Sequence, residues 1–166
     1  MDYFELTNNY TQACLDLPNF PADVMDIWLR SEIEKKGWPP SPLNDWKYLQ
    51  KKIKSIQYLQ NLRWNLQEIE LLDINIMQED VETIQLVLGN GYGSKHRIDS
   101  VLQYFETKPI FPKPIILEKI TDGYSLLDGN HRFAAFLIAI KNNKHTNKFV
   151  QVSLKQPAWI ATKMDA

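Results

Sequence analysis

The chain contains 166 residues, of which 44% are hydrophobic, and its 19 basic residues nearly balance 20 acidic ones. This length and apolar content suit one ordinary domain with a small appendage, and the near-neutral charge excludes an overall positive field that would draw the protein to nucleic acid or anionic lipid. Because Cys14 is the only cysteine, an internal disulfide and a zinc site built on several thiolates are excluded as well.

The start of the chain carries no basic segment followed by an apolar one, and no apolar run approaches the roughly 20 residues needed to span a bilayer. A lone cysteine also fits a reducing compartment. We therefore expect a soluble, cytoplasmic protein without a membrane partner.

Residues 1–63 are predicted to form a helical extension. A short helix should end at Pro18, and a second should run from Pro21 to about Gly37. Ser41 is expected to cap a long amphipathic helix that reaches about Gln60, because apolar residues follow it at steps of three and four. The other face of that helix carries a lysine cluster, which is more often a solvated surface than a nucleic-acid site. The cluster comprises Lys47, Lys51, Lys52 and Lys54.

Residues 64–166 are predicted to form the main domain. The stretch from Leu66 to Ile76 has near-alternating apolar residues and predicts a strand, and a helix then opens at Glu79 and stops at Gly89. The glycine-rich segment that follows, 89–94, lacks the spacing and the closing Lys-Ser or Lys-Thr of a Walker motif. It is interpreted as a connector, with a lid or second ligand contact as the alternative.

Ser94 is expected to cap the next helix, which begins with Lys95 and Arg97. Cations oppose the dipole at a helix start, so these side chains face either an anion or solvent. The later elements are predicted as a hairpin of strands 115–120 and 124–127, a helix from Phe133, and a last strand at 149–154.

The turn between the hairpin and the helix from Phe133 is the strongest functional candidate. Gly129 permits a sharp turn, and the amides that open the next helix attract anions. His131 and Arg132 in that first turn favour an anionic ligand, for which a phosphate is the natural choice. Alternatively, Arg132 pairs with a carboxylate and His131 makes a structural hydrogen bond.

The run Pro114-Ile115-Ile116-Leu117, followed by Leu127-Asp128-Gly129-Asn130-His131-Arg132-Phe133-Ala134-Ala135, resembles the ParB/sulfiredoxin-like superfamily, which includes ParB-like nuclease domains. The resemblance covers about residues 66–154. It implies an α+β fold, a small mixed sheet flanked by helices, preceded here by the helical extension. It also implies that Gly129 and Arg132 hold nucleotide phosphates, usually with Mg²⁺.

Two activities of that superfamily are not expected. Sulfiredoxins have Gly-Cys-His-Arg where this chain has Asn130 in place of the reactive cysteine, so reduction of a cysteine sulfinic acid is not expected. Partition ParB proteins have a more basic box, Gly-Glu-Arg-Arg, and then a helix-turn-helix DNA reader. Too few residues follow the predicted last strand for such a reader, so a partition role is not expected either.

The first functional hypothesis is Mg²⁺-dependent phosphoryl transfer or hydrolysis of a nucleoside triphosphate, ATP or CTP, by a kinase or NTPase with a small-molecule or protein acceptor. The alternatives are a nucleic-acid-binding protein or nuclease, and a non-catalytic regulatory or interaction module. Asp128 would bind the metal or orient the acceptor, or merely fix the turn. The candidate catalytic residues are Asp128 and His131, and the candidate nucleotide-binding residues are Gly129, Asn130, Arg132, Lys95 and Arg97.

Overall fold

The computed structural model describes residues 3–46, 50–144 and 148–164. The protein has an α+β fold with a four-stranded sheet in the order β1-β4-β2-β3. The chain divides into two compact units, one formed by 1–65 with 161–166 and the other by 66–160. Within the described ranges, no helix combines the length and the apolar content that crossing a membrane requires.

The elements up to residue 60 are helical and mostly short. Three buried or half-buried aromatic rings pack together in this unit, with centroids 5.0 Å apart for Phe20 and Trp64 and 6.2 Å apart for Trp28 and Trp64. The helices are α1 Tyr3–Asp16, α2 Ala22–Val24, a π-helical turn Met25–Leu29, α3 Arg30–Lys36, a 3₁₀ turn Pro42–Asn44, α4 Gln50–Ile53 and α5 Ile56–Gln60.

The prediction of one long helix from Ser41 to Gln60 is wrong. Ser41 does cap a helical turn, since its side chain accepts a hydrogen bond from the Asn44 amide at 3.3 Å, but that turn ends at Asp45 with φ 60°. A second break follows at Lys54, which has φ 62°, and Ser55 caps α5. The apolar spacing is matched by three short helical pieces, and Lys47 and Leu49 lie outside the described residues.

The remaining elements build the sheet and the helices that cover it. The buried core of this part combines residues from α6, α7 and α8 with the inner residues of β2, β3 and β4. The elements are β1 Leu62–Glu70, α6 Gln78–Leu88, a 3₁₀ turn Gly91–Gly93, α7 Lys95–Phe105, β2 Ile115–Ile120, β3 Gly123–Asp128, α8 Asn130–Asn143 and β4 Lys155–Lys163.

Two predicted strands are misplaced. The first begins at Leu62 and ends at Glu70, where the Asp73 amide bonds the Glu70 carbonyl at 3.0 Å and turns the chain. The segment 149–154 is irregular and not a strand. Its apolar residues Phe149 and Val152 are nevertheless buried. The last strand is β4, which follows that segment.

The hairpin of β2 and β3 delivers the chain to the candidate site. The two strands form the predicted hairpin, and they pair antiparallel with Glu118 opposite Ser125. The register shifts near the end, where Leu117 faces Leu126 but Ile116 faces Asp128. An irregularity of this kind bends a strand and redirects its side chains, and here it comes just before the turn into α8.

Candidate functional site

The turn from β3 into α8 is built closely around Gly129. Its φ is 117°, a conformation that L side chains rarely adopt. A Cβ at this position would lie 2.7 Å from Ile115 Cγ2 and 3.2 Å from Arg132 Nη2. Gly129 is therefore required by the packing of the turn against β2, which brings the start of α8 close to the sheet.

Arg132 is held on the inner side of this turn. Its Nη2 donates to Asp128 Oδ2 at 3.0 Å and to the Pro114 carbonyl at 3.3 Å, and only 16% of the side chain is exposed. The Nε atom is buried and has no hydrogen-bond partner among the described residues. The ion pair expected under the structural alternative is thus present, and it coexists with one donor that no described residue satisfies.

His131 connects the starts of two helices. Its Nε2 lies 3.2 Å from Ser94 Oγ, and Ser94 is the buried residue just before α7. Neither α7 nor α8 carries an acidic residue in its first turn. Two helix N-termini therefore lie side by side with no acidic residue in either first turn, and a carboxylate just before α8, that of Asp128, pairs with Arg132.

The environment of His131 combines burial with two nearby arginines. Burial lowers the pKa of the imidazole below its usual value, and the charges of Arg97 and Arg132 lower it further. The ring is therefore neutral at pH 7. Arg97, a residue of α7, and Arg132, a residue of α8, both act on the same side chain.

Lys95 has a different environment from Arg97. Its ammonium group forms a 3.2 Å ion pair with Asp99 and is largely exposed. The Lys95 amide donates to Asn90 Oδ1 at 2.8 Å, so Asn90 caps α7. The prediction that Ser94 provides this cap is wrong, because the Ser94 hydroxyl donates instead to the Gly91 carbonyl.

A pocket of about 280 Å³ lies along α7, beyond Lys95. It is formed where the end of α6, the first two turns of α7 and the middle of α8 meet. Its walls are mostly aliphatic, with polar groups from three residues. The lining residues are Val87, Leu88, Asn90, Lys95, Ile98, Asp99, Leu102 and Ile138.

The carboxylates near the turn offer little to a metal ion by themselves. No group of three or more His, Cys, Asp or Glu side chains suited to a metal is found among the residues that the structure describes. Mg²⁺ commonly binds through one or two carboxylates together with substrate phosphates. Asp128 fits that pattern, although its Oδ2 already accepts from Arg132, so its metal-binding role stays a prediction.

Two residues near the site have roles that the sequence interpretation missed. Ser94 contacts His131, and only its position next to a glycine-rich segment pointed to it. Asp80 is buried and accepts a hydrogen bond from the Leu126 amide at 2.9 Å, which ties α6 to β3. An aspartate in a first helical turn is usually exposed, so its burial had no signal in the sequence.

Comparisons with protein-family models, curated proteins and solved structures give no match to this chain. The resemblance to the ParB/sulfiredoxin-like superfamily accordingly rests on the motif residues alone. A functional interpretation therefore depends on the geometry of the site as well.

Proposed function

We propose that the protein binds a nucleoside triphosphate, ATP or CTP, with its phosphates at the adjoining N-termini of α7 and α8. We further propose that the 66–154 region has a ParB/sulfiredoxin-like fold and that the reaction is Mg²⁺-dependent phosphoryl transfer or hydrolysis. The proposed fold and the proposed reaction rest on the resemblance, and the site geometry supports the binding of the phosphates.

One observation carries the phosphate site: the contact between His131 and Ser94 places two helix starts together, both without acidic residues. Helix N-termini bind phosphate because their first amides have no partner within the helix, although in α7 the Lys95 amide already donates to Asn90. Arg97 and Arg132 add positive charge to the same place. The buried Nε of Arg132 has no hydrogen-bond partner among the residues that the structure describes, and this donor supports the same interpretation because an anion would accept from it.

The pocket along α7 supports a nucleotide rather than a free phosphate. It extends from Lys95 to Leu102, and seven residues of α-helix rise about 10 Å, roughly the reach from phosphates to base in an extended nucleotide. Apolar walls suit the face of a base, and the carboxylate of Asp99, which pairs with Lys95 through Oδ2, has a second oxygen that suits an exocyclic amino group. Lys95 is the first residue of α7 and also lines the pocket, so it adjoins both the proposed phosphate site and the proposed base site.

The proposed chemistry uses three side chains. Arg132 stabilises negative charge on the transferred phosphoryl group, and Asp128 keeps its guanidinium in place. His131, neutral at pH 7, is available for proton transfer with the acceptor. Magnesium, when bound with the nucleotide, neutralises phosphate charge.

The proposal is tested by measuring the melting temperature with ATP, CTP or inorganic tripolyphosphate, each with Mg²⁺. We expect a stabilising shift with a nucleotide and a smaller one with tripolyphosphate. Arg97→Ala should weaken binding about tenfold or more, because a hydrogen bond to a charged group contributes about 1.5–3 kcal/mol. Arg63→Ala, which removes an exposed arginine of β1, is the matched control and should leave binding unchanged.

The other outcomes separate the alternatives. No shift with any nucleotide would reject the proposal, and salt-sensitive retention of DNA in the same preparation would favour the nucleic-acid hypothesis. A nucleotide shift with no release of phosphate and no transfer to added acceptors would favour a regulatory module.

A further inference from the structure

The hydroxyl of Ser94 has a single proton, and its destination is determined by its neighbours. The Ser94 Oγ atom contacts the carbonyl oxygen of Gly91, and a carbonyl oxygen can only accept a hydrogen bond. Ser94 must therefore donate to Gly91. Its oxygen then has lone pairs left for a second contact but no second proton.

That second contact is the ring of His131. Since Ser94 Oγ can only accept here, the 3.2 Å contact requires His131 Nε2 to carry a hydrogen. In a neutral imidazole only one nitrogen carries hydrogen, so Nδ1 is left with a lone pair. The burial and positive neighbours that lower the pKa of His131 keep the ring in this neutral form.

We propose that Ser94 is a positioning residue that holds His131 in the Nε2–H tautomer, so that Nδ1 is the proton-accepting atom of the site. The role of Nδ1 in catalysis rests on the proposed function, whereas the tautomer does not. In phosphoryl transfer, Nδ1 takes the proton of the attacking hydroxyl as its oxygen bonds to the γ-phosphorus. The bond from that phosphorus to the bridging oxygen breaks, and the nucleoside diphosphate leaves with the electron pair.

This assignment also explains the glycine-rich segment before α7. A Cβ on Gly91 would lie 2.7 Å from the Leu86 carbonyl oxygen, so the segment packs directly on the end of α6. Gly93 adopts φ 63°, a left-handed conformation that turns the chain just before Ser94. The glycines thus fix the Gly91 carbonyl in the position where it accepts the hydrogen bond from Ser94.

Nitrogen NMR of the 166-residue chain labelled in its histidines tests the proposal without any nucleotide. In the wild type at pH 7.5, we expect the His131 signals of a protonated Nε2 and an unprotonated Nδ1, assigned by their loss in His131→Gln. In Ser94→Ala, we expect a mixture of the two tautomers. Ser100→Ala, which changes an exposed serine of the same helix, should leave the signals as in the wild type.

A protonated Nδ1 or an equal mixture in the wild type would overturn the inference, and so would unchanged signals in folded Ser94→Ala. The wild-type spectrum decides the matter even if that variant does not fold. A correct tautomer without any nucleotide-dependent shift in melting temperature would refute the proposed function and leave the role of Ser94 in positioning His131 intact.

Discussion

At the scale of single residues, Gly129 and Arg132 show how packing fixes the turn at which we propose a phosphate site. Gly129 is needed because Ile115 occupies the space of a side chain, and Arg132 is needed because Asp128 and the Pro114 carbonyl both accept from it. The sharp turn at Gly129 and the position of Arg132 at the start of the following helix could be predicted from the sequence. Their partners could not, because these depend on the register of a hairpin that the motif does not encode.

Replacing Gly129 with alanine should destabilise the protein. A residue with a Cβ is strained at φ 117°, and the close contact with Ile115 adds to a backbone cost of about 1–3 kcal/mol. Urea unfolding measures the difference. Gly93→Ala is the control, since Gly93 also has positive φ but nothing lies within 4 Å of its added Cβ, and an equal loss in both variants would contradict this account.

The stability of the protein should depend on pH through His131. Because the folded pKa lies below the usual 6.5, the unfolded chain binds more protons in the interval between the two values. Stability is therefore complete above about pH 6.5 and is lost as the pH falls toward the folded pKa. The charged groups that act on the ring are Arg97 and Arg132.

Denaturant unfolding at pH 7.5, 6.5 and 5.5 measures this effect. His131→Gln should flatten the decline in the free energy of unfolding between these values. His96→Gln changes an exposed histidine of α7 and should keep the wild-type slope. A His131→Gln profile parallel to that of the wild type would show that this histidine does not contribute.

At the scale of elements, predictions held where a local pattern and its tertiary role agreed. The bounds of β2 and the end of α6 at Gly89 follow from proline, glycine and apolar spacing, and the structure confirms them. The helix predicted over 41–60 breaks at Asp45 and Lys54, because those residues adopt positive φ where periodicity alone anticipates none. The strand predicted over 149–154 failed because burial of Phe149 and Val152 does not require a strand.

The start of α7 offers a test of the cap. Asn90→Ala should lower stability by about 0.5–2 kcal/mol, because the Lys95 amide loses its acceptor and a residue at φ 64° loses an asparagine. Asn90→Asp keeps an acceptor and tolerates the same backbone, so it should retain most of the stability. Thermal unfolding of both variants tests the assignment of Asn90 as the cap, since equal losses of stability in Asn90→Ala and Asn90→Asp would contradict it.

At the scale of the whole molecule, the residues proposed to act on a nucleotide all lie within the unit formed by 66–160. The near-balanced charge gives no overall positive field, and the positive charge proposed to attract phosphate is local, from two helix starts and two arginines. The helices of the other unit follow from amphipathic spacing only in part. Their role does not follow from that spacing.

The most direct test of the phosphate site is an amide NMR titration of the labelled protein with Mg-ATP. The account predicts that the largest shifts fall on the amides of 95–97 and 129–132, with saturation, and that saturation needs about tenfold more Mg-ATP or higher in Arg97→Ala but the wild-type concentration in Arg63→Ala. Absence of shifts at these amides, or saturating shifts confined to other parts of the chain, would contradict it.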